Sequence, residues 1–293
     1  MIKKVMLICL VILFVIPVIV TAQESAPYSM LDPKPYNPET DPDIDMYMSS
    51  WRESNPKHTH GSLVERDILT KGEPMNPTAK GAVLKYINRF TYATLESHAS
   101  TTPAILKGEQ EIFYILSGKG IIKAGGKTAD LYSGIAILMP ANLEFIMENT
   151  GKEPLTMYLV NEPIPEGFRP NENMLVKDEN IIPVSTGVHW CHISKGLFTT
   201  ADGLGTLENM TTCSFNPMTI GHPHSHVEGC EEVWTGLNGK SIAFLGKQIR
   251  MQPPGTAYMI PPDGNTPHSN INTTNERIKL FYFARYRNHE VQK

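Results

Sequence analysis

The residues best suited to chemistry lie in the stretch HPHSHVEGCEE, from His222 to Glu232. It holds three histidines and three glutamates just ahead of an apolar run. Side chains of this kind either bind a metal ion or form a polar, solvated loop. Because alternate side chains of a strand share a face, His224 and His226 can point to the same side. Glu232 begins the next apolar run and can add a carboxylate.

A further histidine occurs in a later apolar run. His268, in PHSNIN, shares the face of its predicted strand with Asn270 and Asn272. Imidazoles and a carboxylate on neighbouring strands suit a first-row divalent ion: Mn, Fe, Co, Ni or Zn. Four protein ligands on an octahedral ion would leave two adjacent positions for water or a bidentate substrate, as a Lewis-acid enzyme requires.

These residues need strands to position them, and the sequence predicts many. Short apolar runs separated by turns follow one another from about residue 82, among them AVLKYINRF, EIFYILSG, IAILMP, EVWTGLNG and IKLFYFARY. Hardly any helical periodicity lies between them. Runs this short and evenly spaced are typical of an all-β sandwich or barrel.

The runs also repeat. EIFYILSGKG, from Glu111 to Gly120, matches EVWTGLNGKS, from Glu232 to Ser241, in the spacing of a Glu, six residues and a Gly. The stretch from Gly134 to Val160 matches that from Gly255 to Phe283 in the same way, at an offset of about 120 residues. Self-similarity of this kind indicates two copies of one β unit.

The two patterns resemble the two sequence motifs of the cupin superfamily, and the duplication resembles a bicupin. The first motif, HxH followed by Glu-x6-Gly, corresponds to His224, His226, Glu232 and Gly239. The second corresponds to Pro262, Gly264, His268 and Asn272. One gap in each motif is one residue longer than usual, so Glu231 remains an alternative to Glu232. The resemblance covers roughly residues 80 to 290 and is stronger in the second half.

The resemblance implies an all-β fold of two jelly-roll (double-stranded β-helix) barrels in tandem. In the second barrel, His224, His226, Glu232 and His268 would bind one divalent transition metal. In the first copy, Phe145 stands where the motif has its histidine, and only His98 and Glu111 remain of a ligand set. The first barrel is therefore predicted to be metal-free.

The predicted organisation has five segments. They are a signal peptide over residues 1–22, an extended arm with lead-in strands over 23–75, a first barrel over 76–165, a linker over 166–195 and a second barrel over 196–293. Residues 24–57, rich in Pro, Asp and Ser, would wrap around the body or a partner. His58 and His60 form another HxH pair, interpreted as part of a loop or an interface.

The start of the chain predicts export to a periplasm or beyond. Lys3 and Lys4 precede an apolar run from Val5 to Val20, and small residues end at Ala22. The rival interpretation is an uncleaved anchor, but the run is short for a membrane span. After cleavage three cysteines remain, an odd number, so at least one is not paired within the chain.

The composition limits the possible partners. With a net charge of −4 and no long basic cluster, nucleic acid is not expected to bind. A small-molecule substrate or ligand is expected, with no stable membrane anchor after cleavage and a possible homodimer.

Three classes of function remain open, because the fold alone does not decide among them. The favoured class is a metal-dependent isomerase, lyase or hydrolase acting on a sugar, sugar acid or carboxylate. The second is a dioxygenase or a decarboxylase-type oxidoreductase, and the third is a non-catalytic binding or storage protein. Glu228 and Glu231 flank the motif in a predicted loop and are the candidate catalytic acids or bases.

The export signal makes a direct prediction. The mature protein should begin at Gln23, which intact-mass measurement of the exported chain will show. A chain that retains residues 1–22 and fractionates with membranes would contradict cleavage and support the anchor.

Overall fold

The computed structural model describes residues 35–186, 189 and 191–286 of the chain. The predicted signal peptide and its cleavage site lie outside the described residues. One short α-helix, α1, spans Ile44–Tyr47, and single 3-10 turns span Trp51–Glu53 and Thr200–Asp202. In the part of the chain described, no helix is long and apolar enough to cross a membrane.

Short strands make up most of the rest. Those of the first half are β1 (Met48–Ser50), β2 (Lys57–Thr59), β3 (Leu63–Lys71), β4 (Ala82–Leu84), β5 (Arg89–Leu95), β6 (Ala104–Ile105), β7 (Glu109–Ser117), β8 (Gly120–Ala124), β9 (Lys127–Leu131), β10 (Ile135–Met139), β11 (Glu144–Asn149) and β12 (Leu155–Pro163). Those of the second half are β13 (Leu175–Asp178), β14 (Ile193–Thr199), β15 (Asn209–Phe215), β16 (Thr219–Ile220), β17 (Glu231–Asn238), β18 (Ser241–Leu245), β19 (Gln248–Gln252), β20 (Thr256–Ile260), β21 (His268–Asn272) and β22 (Ile278–Arg285).

Two pairs of sheets form the two barrels. The first barrel has a large sheet in the order β13-β10-β7-β12-β5-β3-β2, with β4 beside β3, and a small sheet in the order β6-β11-β8-β9. The second has a large sheet in the order β1-β20-β17-β22-β15-β14 and a small sheet in the order β16-β21-β18-β19. The predicted all-β fold of two jelly-roll barrels is confirmed.

The large sheets are buried on both faces, which explains their uninterrupted apolar runs. On β7, Phe113 and Ile115 point into the core of the first barrel, whereas Ile112 and Tyr114 belong to a second cluster that continues into the other barrel. On β10, Ile137 likewise faces the first core and its neighbours face the second cluster. Side-chain alternation therefore supplies two apolar layers from one strand.

The lead-in segments of the two barrels are exchanged. β1 precedes the first barrel but pairs with β20 of the second, while β13 precedes the second barrel but pairs with β10 of the first. Ile44 and Tyr47, just before β1, are buried, and their helix contacts β19 and β20 of the second barrel as well as β4 of the first. The described residues from Tyr36 onward consequently form one compact unit. The domain boundaries drawn from the sequence stay predictions.

The Glu-x6-Gly spacing that the two copies share has a steric reason at its glycines. Gly118 and Gly239 follow β7 and β17 with φ values of 91° and 68°. A Cβ on Gly118 would lie 2.7 Å from the Cα of Leu155, and one on Gly239 would lie 2.6 Å from a methyl of Ile278. Both the left-handed backbone and the close approach exclude a larger residue.

The motif asparagines close a loop in each barrel. The Asn149 side-chain amide donates to the carbonyls of Leu95 and Glu153 at 2.9 Å. Asn272 donates to the carbonyls of Phe215 and Glu276 at 3.2 and 2.7 Å. The motif asparagine is therefore a structural group that ties neighbouring segments together.

A pair of buried glutamates joins the barrels reciprocally. Glu231, at the start of β17, accepts hydrogen bonds from the backbone N–H groups of residues 85, 86 and 87, just before β5 of the first barrel. Glu162, on β12, accepts from those of residues 205, 206 and 207, just before β15 of the second. Burial raises the pKa of Glu231 to about 7, against the effect of its three donors.

This position corrects the expectation that Glu231 is a loop residue above the histidines. It is 1% exposed and is the first residue of a strand. Since successive side chains of a strand point to opposite faces, Glu231 and Glu232 cannot face the same space. Glu231 joins the two barrels through the backbone N–H groups of residues 85–87.

Replacing Glu231 by Gln should therefore destabilise the protein without affecting the histidine cluster. The amide has one acceptor oxygen for three donors, so at least one buried N–H loses its partner, at a cost of about 1–3 kcal/mol. Chemical denaturation measures the loss, and Glu162→Gln should show a similar one. Glu228→Gln, at an exposed position, is the control and should change stability by less than about 0.5 kcal/mol. Equal stabilities of Glu231→Gln and Glu228→Gln would refute this role of Glu231.

Candidate functional site: a histidine and glutamate cluster

The second barrel gathers all four residues of the predicted ligand set. His226 Nε2 lies 2.8 Å from one Glu232 oxygen, and His268 Nε2 lies 2.9 Å from the other. Ligand atoms of His224, His226 and His268 all lie within 4.8 Å of one another. An antiparallel bridge between His224 and His268 brings the HxH loop to β21, with N–H···O distances of 3.3 and 2.9 Å.

Three imidazole nitrogens of this cluster are buried without hydrogen bonds. His226 Nε2 and both nitrogens of His268 have no hydrogen-bond partner among the described residues. Their approaches to Glu232 are short but lie outside hydrogen-bond geometry. Buried polar atoms without partners are costly, so a site that groups several of them fits the binding of a ligand. Two ligand atoms at right angles on a metal ion, each about 2.1 Å from it, lie about 3 Å apart. The distances from His226 and His268 to the Glu232 oxygens, 2.8 and 2.9 Å, are close to this value.

The protonation states of Glu232 and His224 favour metal binding, whereas Glu232 outweighs burial and raises the pKa of His226. Burial opposes the charge on Glu232, but His268 and His226 outweigh it and hold the pKa of this carboxyl well below its usual range. Burial is the main cause that lowers the pKa of His224 to about 4, so this imidazole is neutral. Metal ligation requires neutral imidazoles and an ionised carboxylate.

Outer contacts orient the ligands. His224 Nδ1 lies 2.7 Å from the carbonyl of His222 and donates to it, which leaves Nε2 free to face the cluster. The Trp234 indole N–H and the Tyr282 hydroxyl donate to the two oxygens of Glu232. Such partners fix the rotamer and tautomer of a metal ligand. The donor set therefore fits one first-row divalent ion.

The remaining candidates do not belong to this set. Glu228 is exposed in the loop between His226 and β17, and Glu231 faces the other barrel. Cys230 offers a thiol within 4.8 Å of ligand atoms of His226 and Glu232, but burial raises its pKa and keeps it protonated. Cys191, Cys213 and Cys230 are all buried free thiols.

A cavity of about 300 Å³ opens beside the cluster. Its walls are formed partly by aromatic side chains, Trp234, Tyr282 and Tyr286, and partly by small polar ones of β14 and β15. A hydrogen-bonded chain runs from Glu232 through the Tyr282 hydroxyl to that of Tyr286. The size suits a small molecule, and the mixed walls suit one with both polar and apolar parts.

Two histidines of this cavity were missed from the sequence. His189 and His192 lie in the segment interpreted as a linker, yet both line the cavity, and the ring of His189 lies 4.7 Å from that of His224. Burial is the main cause that lowers the pKa of His192 to about 4. The only sequence feature that could have indicated them is the HxxH spacing in HWCH, and this spacing lies at no fixed distance from the HxH motif of His224 and His226.

The corresponding place in the first barrel holds an internal ion pair. Glu111 and Glu232 occupy the same register position, opposite Asn161 on β12 and Ala284 on β22. The histidine positions are taken by apolar residues, including Phe145 in place of His268. Arg89, from β5, donates to Glu111 at 2.6 Å and to Glu65 at 3.3 Å.

The histidine beside Glu111 is not the one expected. His98, counted as part of a residual ligand set, lies exposed in a turn with a φ of 58°. Instead His60 Nε2, from the KHTHG segment, lies 3.0 Å from Glu111. The pKa of His60 is raised because Glu111 outweighs the opposing effect of burial. The Arg89 guanidinium and the His60 imidazole balance the negative charge of Glu111, as a metal ion would at such a position.

Removing the guanidinium should therefore destabilise the first barrel strongly. Arg89→Met leaves the fully buried carboxylates of Glu65 and Glu111 without their main cation, at a cost of about 3–5 kcal/mol by analogy with broken buried pairs. Thermal or chemical unfolding measures the loss. Arg66→Met is the control, since Arg66 donates to the backbone carbonyl of Ser54 and is only half-buried. A difference below about 1 kcal/mol between the variants would contradict this account.

Comparison with known proteins agrees with this fold. Residues 91–161, in the first barrel, match the model of the cupin domain, although the metal motifs are more complete in the second. No curated protein matches the sequence significantly. AerE from Microcystis aeruginosa is similar in structure, with a TM-score of 0.62, 14% identity, and coverage of 83% of this chain and 100% of that one.

Two further structures share the architecture at low identity. A deletion mutant of oxalate decarboxylase from Bacillus subtilis has a TM-score of 0.61 at 10% identity, over 85% of this chain and 79% of that one. The 7S globulin from Momordica charantia has a TM-score of 0.61 at 10% identity, over 81% and 83%. These likenesses show the fold, and with the match of residues 91–161 to the cupin domain they confirm the resemblance to the cupin superfamily.

Proposed function

We propose that this protein is a metal-dependent enzyme that acts on a small oxygen-rich substrate, such as a sugar, a sugar acid or another carboxylate. The observation that carries the proposal is the convergence of His224, His226, Glu232 and His268 beside a cavity of about 300 Å³. These four residues would hold one divalent ion. The bound ion would supply Lewis-acid chemistry, the polarisation of a substrate carbonyl or carboxylate.

The chain's own groups support such chemistry in three ways. Glu232 keeps its charge, and Trp234 and Tyr282 hold its two oxygens in place. The aromatic walls limit the water around a bound substrate, which strengthens electrostatic interactions inside the cavity. The hydroxyl of Tyr286 ends a chain of hydrogen bonds that begins at Glu232 and is placed to hold or pass a proton at the cavity wall.

The proton-transfer role expected of Glu228 and Glu231 passes to other groups in this proposal. Neither carboxylate is grouped with the histidines, whereas Tyr286 and His189 line the cavity. The class of isomerases, lyases and hydrolases stays the favoured one. Because oxalate decarboxylase shares the fold, a decarboxylase-type reaction on a simple carboxylate is the main competitor.

Two expectations from the sequence complete the proposal. The enzyme would act after export, as the mature chain 23–293, in a periplasm or outside the cell. It would form a homodimer in which two copies pack through their sheets. Size-exclusion chromatography with light scattering tests the second point on the mature chain.

The metal site is tested by elemental analysis of the mature protein and of a His226→Ala/His268→Ala variant. We expect one equivalent of a divalent transition metal per chain in the wild type and less than a tenth of that in the variant, because two of four ligands are lost. His222→Ala is the matched control. Its exposed side chain gives the cluster no ligand atom, and its backbone carbonyl, which accepts from His224, is kept, so it should retain the metal.

The reaction class follows from the same preparations. Metal-loaded wild type should convert a member of a sugar, sugar-acid and carboxylate panel, and the double variant should be inactive. Oxygen uptake with organic substrates would instead favour the oxidoreductase class. A wild type that holds no metal even after reconstitution would overturn the proposal.

A further inference from the structure

The cavity beside the cluster contains polar groups that the ligand set does not use. His192 is 7% exposed, and no described residue gives its ring nitrogens a hydrogen bond. Its ring is held by edge contacts with Phe215 and Trp234, at centroid distances of 4.8 and 5.6 Å. The imidazole is therefore fixed in orientation while its hydrogen-bonding capacity remains open to the cavity that it lines.

Asn209 is a second such group. It is the first residue of β15 and lines the same cavity, and its Oδ1 is buried without a hydrogen-bond partner in the described part of the chain. Its register position, opposite Ala284, corresponds to that of Arg89 opposite Asn161 in the first barrel. Where the first barrel uses this position for an internal ion pair, the second places the Asn209 amide, with its buried and unpaired oxygen, in the wall of the cavity.

The chemistry of these atoms limits what can satisfy them. A neutral imidazole offers one donor and one acceptor, and an amide oxygen offers only an acceptor. A molecule that is all acceptor, such as a simple carboxylate, cannot pair with Asn209 Oδ1. A hydroxyl group can pair with either residue, because it both donates and accepts. Leaving buried acceptors unpaired is costly, so such a site discriminates strongly against analogues that lack the hydroxyl.

We propose that His192 and Asn209 form the recognition end of the site, and that the substrate is a small polyhydroxy carbonyl or carboxylate compound whose hydroxyl groups bind them. This inference rests on the proposed function, because the other end of the substrate lies at the metal-ligand cluster. Trp234 supplies the wall between the two ends, since it contacts the His192 ring and donates to Glu232. The substrate class narrows from carboxylates in general to hydroxylated ones.

The test uses protein reconstituted with Mn²⁺ and three carboxylate probes, with binding measured by isothermal titration calorimetry. Gluconate has a chelating end and a hydroxylated chain, glycolate has only the chelating end, and hexanoate has the same chain length as gluconate without hydroxyls. We expect gluconate to bind at least about tenfold more tightly than either control, the effect of about one good buried hydrogen bond.

The variants assign that preference to the two residues. His192→Phe keeps the ring contacts and removes both nitrogens, and Asn209→Leu keeps the approximate shape and removes the oxygen. Each should bring gluconate to within about threefold of glycolate, leave glycolate affinity unchanged and retain the Mn²⁺ content. His192→Gln, which keeps a donor and an acceptor, should recover part of the preference.

The outcomes separate the two proposals. Mn²⁺ content that is absent in the wild type refutes the metal site and the inference with it. A wild type that holds Mn²⁺ but binds gluconate no more tightly than glycolate overturns the inference alone. An unchanged gluconate preference in both His192→Phe and Asn209→Leu overturns it as well. Melting temperatures equal to that of the wild type ensure that the variants are folded.

Discussion

Buried carboxylates are the constraint on which most of this structure depends. An ionised carboxylate removed from water needs compensating charges or hydrogen bonds. On β17, two adjacent glutamates are both buried, and the alternation of the strand sends them to opposite faces. Glu232 meets histidines and can be completed by a metal ion. Glu231 meets three backbone N–H groups of the other barrel. One strand thus couples the site to the assembly of the two barrels.

The two barrels compensate the charge of a buried glutamate in different ways. Both keep a glutamate at the start of the central strand, at Glu111 and Glu232. In the first barrel the compensating cation is the Arg89 guanidinium, which the chain itself supplies, and Phe145 fills part of the space. In the second barrel the corresponding position is Asn209, and the space stays open as a cavity. The first barrel supplies its own cation, whereas the histidines and the cavity suit the second to ligand binding.

The barrels also depend on each other for their edges. Each takes a short strand from the segment that leads into the other, β1 in one case and β13 in the other. Covering an edge strand removes exposed backbone groups that could pair with another chain. The segment before β14 then reaches the cavity of the second barrel and brings His192 to it. The connection between the barrels therefore builds part of the site.

The sequence by itself determined the strand pattern, the duplication and the metal-type residues, because these depend on local periodicity and short spacings. His224, His226, Glu232 and His268 could be identified from them, as could the loss of the histidine at Phe145. Only the tertiary structure decided that Glu231 joins the two barrels, that His60 rather than His98 accompanies Glu111, and that His192 and Asn209 face the cavity. Each of these placements depends on the face of the strand from which the side chain projects and on the segment that lies opposite it. Both are determined by strand pairing between residues far apart in the chain.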